Sequence, residues 1–228
     1  MTTKGSLPPG QYEISEFPRF GLWKYANRFR QTFAPLNVVI SGDVQQSITI
    51  TQQDLATLPR IEQTSDFHCV TTWTKTGLTW SGVRFHDFYE QIAQPQAVPS
   101  KATTIVIFRA QDGYRASLPI EDLLAQDILL VDTFEGIPIS AEHGAPLRLL
   151  APAHYGYKSV KHLKAIEFWE ADSKFIPPGF RFMGHPRGRV HLEERSESMI
   201  PNWLLRLLYR PLIQPTIRRF EQGMRKER

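Results

Sequence analysis

Residues 143–161 read His143-Gly144-Ala145-Pro146-Leu147-Arg148-Leu149-Leu150-Ala151-Pro152-Ala153-His154-Tyr155-Gly156-Tyr157-Lys158-Ser159-Val160-Lys161. One reading of this stretch is structural: a short strand from Leu147 to Leu150, a glycine turn and a solvated basic face. The other is an anion clamp. Gly156 lets the backbone bend close to a ligand, and the N–H groups after it can form a nest. Lys161 offers a point charge and Arg148 a planar fork, a pair suited to phosphate oxygens. No Walker or dinucleotide glycine pattern accompanies the stretch, so an ordinary nucleotide does not suit it.

Outward from this stretch, short apolar runs alternate with turn signals. Asn37 to Ile50 predicts a hairpin turning at Ser41-Gly42-Asp43. Thr51 before Gln52-Gln53-Asp54 predicts a capped short helix that ends before Pro59. Asp66 to Trp73 has the β-branched and aromatic content of a strand. Val83 to Ile92 sets Phe85, Phe88, Tyr89 and Ile92 on one helical face. Thr103 to Phe108 predicts a buried strand, turning at Asp112-Gly113 into Tyr114 to Leu118. Pro119 then opens a helix through Ala125, and Ile128 to Val131, Leu147 to Leu150 and Leu163 to Trp169 predict further strands.

The flanks differ from this body. Residues 1–35 are Pro-rich and aromatic, an irregular arm around Phe17-Pro18-Arg19-Phe20-Gly21. Ile176-Pro177-Pro178-Gly179 marks a linker, and Phe180 to Ser196 reads as extended and basic. Trp203 to Phe220 reads as a helix broken by Pro211 and Pro215, with Trp203, Leu204, Leu207 and Leu208 on one face. Without βαβ regularity, the pattern predicts an α+β fold with mixed, mostly antiparallel sheets and short helices. The expected divisions are an arm at 1–14, a domain at 15–196 and a basic helical tail at 197–228.

Charge is uneven along the chain. The net charge is +4, yet residues 201–228 hold seven Lys/Arg against two Glu, and residues 1–200 hold twenty Lys/Arg against twenty-one Asp/Glu. A nearly neutral body argues against nucleic acid as a partner. The tail has two readings: it packs back on the body, or it docks peripherally on an acidic electron-transfer partner or an anionic membrane. No stretch is long enough for a transmembrane segment. Met1 to Gln11 has no apolar h-region and no twin-arginine pair, which predicts a cytoplasmic protein.

Cys69 is the chain's one cysteine. It excludes an internal disulfide and any multi-cysteine zinc or iron–sulfur site. A lone strand cysteine is commonly a small buried apolar residue; the functional alternatives are a thiolate metal ligand or a nucleophile. Residue type alone does not choose.

Taken in order, His68-Cys69-Val70-Thr71-Thr72-Trp73, Trp80-Ser81-Gly82-Val83, His143-Gly144-x-Pro146-x-Arg148 and Gly156-Tyr157-Lys158-Ser159-Val160-Lys161 resemble the molybdopterin domain of the sulfite oxidase family. Arg187-Gly188-Arg189-x-His191-x-Glu193-Glu194-Arg195 is similar to that domain's closing segment. The resemblance implies a sulfite oxidase-type molybdopterin-binding fold with molybdenum and molybdopterin as cofactors. It implies that Cys69 is catalytic as the metal's thiolate ligand and that Arg148 and Lys161 contact the pterin phosphate. Ser159 and Val160 would contribute through their backbone, His143 would contact the pterin, and Phe20, in the arm from Phe17, would cover it.

Two departures bear on substrate. Sulfite oxidases follow the cysteine with an arginine-bearing loop; here Val70-Thr71-Thr72-Trp73 follows. The tyrosine those enzymes place over the metal aligns with about Asp132, ahead of Gly136-Ile137-Pro138. The resemblance therefore implies oxygen-atom transfer on a small-molecule substrate, with sulfoxide or N-oxide reduction ahead of sulfite oxidation, and an unidentified electron-transfer partner. Asp132 is therefore the expected second catalytic residue beside Cys69, and Asp132, Tyr114 and Arg109 are the candidates for the pocket mouth. The alternatives are a non-catalytic binding or scaffold protein that keeps the fold without cofactor, and a nucleophilic cysteine hydrolase.

Overall fold

The computed structural model describes residues 6–28, 32, 34–171, 175, 177–178 and 184–226. The arm contributes one short strand, β1 (Tyr12–Glu13). The predicted hairpin forms as β2 (Asn37–Gly42) and β3 (Ile48–Thr51), with Asn37 opposite Thr51. Alternating Val38 and Ile40 point into the core while Val39 faces out, the period-two pattern of a half-buried strand. Helix α1 (Gln52–Leu55) starts at Thr51, whose backbone N–H and hydroxyl both donate to Asp54 Oδ2 at 2.7 Å.

Strands β4 (Arg60–His68) and β5 (Trp73–Arg84) form a long antiparallel pair. The predicted strand from Asp66 to Trp73 is thus interrupted by a turn at Cys69. The predicted helix at Val83 also begins later: β5 runs to Arg84, then α2 (Phe85–Phe88) continues as a π-helical segment (Tyr89–Ala97). Phe85, Phe88 and Ile92 do share the buried face. The hairpin at Asp112-Gly113 joins β6 (Ile105–Ala110) to β7 (Arg115–Pro119), and α3 (Ile120–Leu123) follows Pro119. The remaining strands are β8 (Leu129–Phe134), β9 (Ile137–Pro138), β10 (Arg148–Leu150) and β11 (Leu163–Trp169).

The strands make two sheets. In one, β5 pairs with β4 along one edge and with β1 and β8 along the other, and β8 carries β9 and β10. The second runs β3-β2-β11-β6-β7. Only β1 with β5 and β2 with β11 run parallel, so the sheets are mixed and mostly antiparallel as expected. The main core joins Val38, Ile40, Phe108 and Ile166 of the second sheet to Phe85, Phe88, Leu130 and Leu149. Each such side chain contributes roughly 1.5–3 kcal/mol by burial.

The closing segment from Gly184 is not extended. It turns tightly and meets the loop after the last-but-one strand through an isolated bridge between His154 and Arg189. Ile176 and Gly179 of the expected linker, and residues 180–183, lie outside the described residues. The tail forms α4 (Asn202–Tyr209), a 3₁₀ turn (Arg210–Leu212) and α5 (Ile213–Arg225). The break falls at Pro211 alone. Pro215 sits in the first turn of α5, where its missing N–H removes no bond within that helix.

The apolar face predicted for the tail is also corrected. Leu205, Tyr209, Ile213 and Phe220 face inward, whereas Trp203, Leu207 and Leu208 are 65%, 62% and 53% exposed. Thr216 accepts a 2.7 Å hydrogen bond from the Trp23 indole, and Arg19 stacks 4.8 Å over Phe220. Gly223 meets the Ala26 carbonyl so closely that a Cβ there would clash. The tail packs on the arm.

Candidate active site

The turn between β4 and β5 presents Cys69. The Cys69 amide donates to the Trp73 carbonyl at 2.8 Å, and the Thr72 amide returns a bond to the Cys69 carbonyl at 3.1 Å. Thr72 closes the turn at φ +90°, a strained conformation for a β-branched residue. Three other segments brace it. Gln11 donates to the Cys69 carbonyl at 3.2 Å, Arg195 to the Val70 carbonyl, and the Gly156 amide to the His68 carbonyl at 2.7 Å. That last bond ties the cysteine turn to the glycine turn of the basic stretch.

Gly156 is required for this approach, because a Cβ would run into the Phe67 ring. Around Phe67 an aromatic wall links the two halves of the site. Phe17 lies 5.0 Å from Phe67 and stacks on His143 at 5.1 Å, and Phe20 meets Trp73 edge-on at 5.5 Å. Arg148 sits 4.9 Å over Trp80 and 5.5 Å over Phe67. Ile213 of α5 packs into the cluster of Cys69 and Trp73.

The electrostatics of the basic stretch are unusual. Arg148 is fully buried, and its pKa is pushed down to about 9 by that burial. Burial, then Arg148, holds Lys161 well below the ordinary lysine range. Neither pairs with a carboxylate among the described residues. Arg148 donates to the carbonyls of His143 at 2.8 Å and Ser159 at 3.4 Å, and Lys161 to that of Glu142 at 2.8 Å. Gly144, at φ +125°, lets both side chains start from one spot, since its own Cβ would lie 3.0 Å from Arg148 Cβ and 3.2 Å from Lys161 Cβ. His143, pushed down to about 3 by burial and then by Lys161 and Arg148, is neutral. A buried guanidinium beside a partly buried ammonium, with no counter-charge among the described residues, is costly, and an anion lowers that cost.

Ser159 and Val160 belong to the same turn. Their amides donate to the carbonyls of Gly156 and Lys158 at 3.1 and 3.0 Å, and the Ser159 hydroxyl accepts from the Ala151 amide at 3.1 Å. The cations, more than these amides, carry the uncommitted donors.

The structure thus brings Cys69, Phe20, His143, Arg148, Ser159, Val160 and Lys161 into one neighbourhood. Asp132 does not join them. It is held by Arg60 at 2.7 and 3.0 Å and by Gln52 at 3.2 Å. Arg60 opens β4 and Cys69 follows its far end, a separation of roughly 30 Å at about 3.3 Å per residue. Arg109 is likewise outside the site, paired with Glu167 at 3.0 Å across β6 and β11. Tyr114 supports the site from beneath, its hydroxyl donating to the Tyr157 carbonyl at 2.6 Å.

The structure adds residues that sequence reasoning did not assign. Arg195, fully buried, pairs with Glu193 at 3.1 Å and lies 5.1 Å over Tyr155. Tyr209 and Ile213 arrive from the tail; no local signal marks them.

A pterin-bound metal suits these residues. Among the described residues no group of three or more His, Cys, Asp or Glu could hold a metal, so a metal at Cys69 takes its other ligands from a non-protein group. Thr72 Oγ1, Trp73 Nε1, His143 Nδ1 and Tyr209 Oη are buried without a hydrogen-bond partner, and buried polar atoms ordinarily find one. They flank the cysteine and the cation pair. A nucleophilic cysteine is a poorer fit. The thiol's side-chain hydrogen-bond partner is the Thr71 hydroxyl at 3.1 Å, not a histidine, and burial pushes it up to about 11, opposite to an activated thiolate.

This is the fold and donor set of a pterin-linked metal oxidoreductase. The chain matches the family model described as the oxidoreductase molybdopterin binding domain over residues 30–176, and it belongs to that family. It is 34% identical over 176 residues to the uncharacterized oxidoreductase YuiH of Bacillus subtilis, covering 77% of this chain and 83% of that protein. It is 29% identical to the protein-methionine-sulfoxide reductase catalytic subunit MsrP of Campylobacter jejuni, over 65% of this chain and 58% of that subunit. Among solved structures it is similar to the sulfane dehydrogenase SoxCD from Paracoccus pantotrophus, with a TM-score of 0.54 at 19% identity over 67% of this chain and 43% of that one. The fold is sulfite oxidase-like, and the family's cofactor is molybdenum on molybdopterin.

Proposed function

We propose that this molybdopterin-dependent oxidoreductase reduces a small sulfoxide or N-oxide in preference to oxidising sulfite. The observation that carries the reading is the cysteine turn itself. Val70, Thr71 and Thr72 offer no cation to an anionic substrate, and Arg195, which reaches the Val70 carbonyl, is fully buried and paired with Glu193. A neutral S–O or N–O group suits such a wall; a sulfite dianion does not. The similarity to a methionine-sulfoxide reductase subunit supports the same choice, although the chain spans 58% of that subunit's length.

Molybdenum bound here supplies two-electron oxygen-atom transfer. The protein's part is placement. Cys69 provides one thiolate and must lose its proton to do so, since the free thiol sits near 11. Arg148 and Lys161 hold the pterin phosphate. Neutral His143 offers its unpartnered Nδ1 to the pterin, and Phe17, Phe20 and Trp73 exclude water from the metal's surroundings. Asp132, at the far end of β4, has no part in this scheme. The unpaired cations and unpartnered polar atoms also speak against a scaffold that has abandoned its cofactor.

Reduction requires an electron donor, and we assign that role to a separate partner in the cytoplasm, the compartment we propose; cell fractionation of the native host tests the placement. Side-by-side steady-state assays test the substrate. With a reduced dye, turnover of methionine sulfoxide or trimethylamine N-oxide should exceed sulfite oxidation. Efficient sulfite turnover with no sulfoxide or N-oxide reduction would overturn the proposal.

A further inference from the structure

The tail helices carry a second apolar surface that the packing on the body does not use. A surface helix ordinarily buries one stripe and shows charge on the other. In α4, Leu205 and Tyr209 face the body, yet Trp203, Leu207 and Leu208 stand exposed on the outer side, and Leu212 continues them at 43% exposure. One helical turn apart, Trp203 with Leu207 and Arg206 with Arg210 line a shallow groove of about 270 Å³. Scattered exposed apolar residues are ordinary, whereas a contiguous group beside a charged rim marks an interaction surface.

The charge of the rim selects the partner. Residues 201–228 carry seven Lys/Arg and two Glu. Arg210 and Arg218 pair with no carboxylate among the described residues, and Arg219 stacks 5.4 Å over half-exposed Trp23. A tryptophan and leucines rimmed by arginines match the depth profile of a bilayer interface: rings and alkyl chains at the acyl boundary, guanidinium groups at the phosphates. No helix among the described residues is long and apolar enough to cross a membrane.

We propose that the outer face of α4 and the turn after it dock the protein peripherally on an anionic phospholipid surface. Leu207 and Leu208 enter the acyl boundary, and Arg210 and Arg218 face the lipid phosphates. The inner side of the same tail rests on the Cys69 cluster through Ile213. The docking stands independently of substrate and metal.

The test uses the full-length protein and sedimentation with vesicles of phosphatidylcholine, with and without about one quarter phosphatidylglycerol. Binding to the anionic vesicles at low ionic strength is expected, weakening at high salt because exposed charges are screened within about 8 Å at physiological ionic strength. Neutral vesicles should bind weakly. Leu207→Ser with Leu208→Ser should lower anionic-vesicle affinity at least tenfold, and Arg210→Glu with Arg218→Glu similarly, with the melting temperature of each unchanged because these residues are exposed. Full-length protein left in the supernatant at low salt overturns the proposal. So does vesicle binding indifferent to the two serines, which would be mere charge attraction. A dimer in analytical ultracentrifugation that the serines dissolve would assign the face to a second copy instead.

Discussion

Lys161→Met separates a cofactor-binding charge from a structural one, because the two predict opposite results in apoprotein and holoprotein. Arg148 and Lys161 rise from the same spot over Gly144, and burial with Arg148 holds the Lys161 ammonium well below its ordinary range. In the apoprotein the charge is therefore unfavourable. Its removal forfeits one bond to the Glu142 carbonyl at 2.8 Å, worth about 1 kcal/mol. It also relieves a repulsion on the order of 1–2 kcal/mol at an effective dielectric of about 20. The apo variant should therefore unfold within about 1 kcal/mol of wild type. The holoprotein loses a charge-assisted contact to a phosphate dianion, roughly 1.5–3 kcal/mol, or about ten- to a hundredfold in cofactor affinity. Molybdenum and pterin content after extensive dialysis, beside urea unfolding of the apo form, measures both. A variant that retains its cofactor while its apo form loses about 3 kcal/mol would show that Lys161 supports the loop and does not clamp an anion.

Cys69→Ser should abolish dye-linked activity even where pterin stays bound, since a hydroxyl is a harder and less covalent donor than a thiolate; activity and metal content of one preparation decide it. Because the thiol sits near 11, metal insertion releases a proton and apparent metal affinity should rise with pH, readable by titrating apoprotein between pH 6 and 9. Glu193→Gln leaves Arg195 buried without its carboxylate and also loses the ion pair to Arg206; a loss of about 3–5 kcal/mol should appear in chemical denaturation. His143 and His162 are each pushed down to about 3, chiefly by burial. The unfolded chain takes up protons near pH 6.5, so apoprotein stability is full above that value and falls as the pH drops toward 3. The urea midpoint should follow that slope, less steeply in His162→Gln; an identical slope in the variant would remove His162 as a cause.

The sequence made the anion clamp legible because its chemistry is local. Three cations, two glycines and two prolines within 19 residues, from His143 to Lys161, favour a tight basic turn. Most strands were legible for a similar reason, as at Ile105–Ala110, where five of six residues are buried. The cysteine turn was not. Val70, Thr71, Thr72 and Trp73 have strand-like composition, and the residue that takes positive φ is Thr72, not a glycine. Beyond the local bond from Cys69 to the Trp73 carbonyl, what holds the chain there is tertiary: Gln11, Gly156 and Arg195 grip it from elsewhere. Asp132 failed in the same way. Its partner Arg60 is 72 residues away in the chain, and no spacing rule reveals that pair.

The tail shows why periodicity alone could not have chosen its buried side. α4 reads Asn-Trp-Leu-Leu-Arg-Leu-Leu-Tyr, apolar nearly all round, so any stripe drawn on it looks like a core face. The surface the tail meets made the choice, the body offering the Cys69 cluster to Ile213 and the arm offering the Trp23 indole to Thr216. Once Leu205 and Tyr209 turn inward, Trp203, Leu207 and Leu208 have nowhere to go but out. The same apolar excess that hid the buried side from the sequence leaves the outer face exposed, and the arginines around it give that face a charge. An ordinary surface helix would have resolved the ambiguity with polar residues there. Replacing Leu207 and Leu208 by serine makes α4 such a helix, so the substitution should remove lipid binding while leaving Leu205, Tyr209 and the covered cysteine where they are.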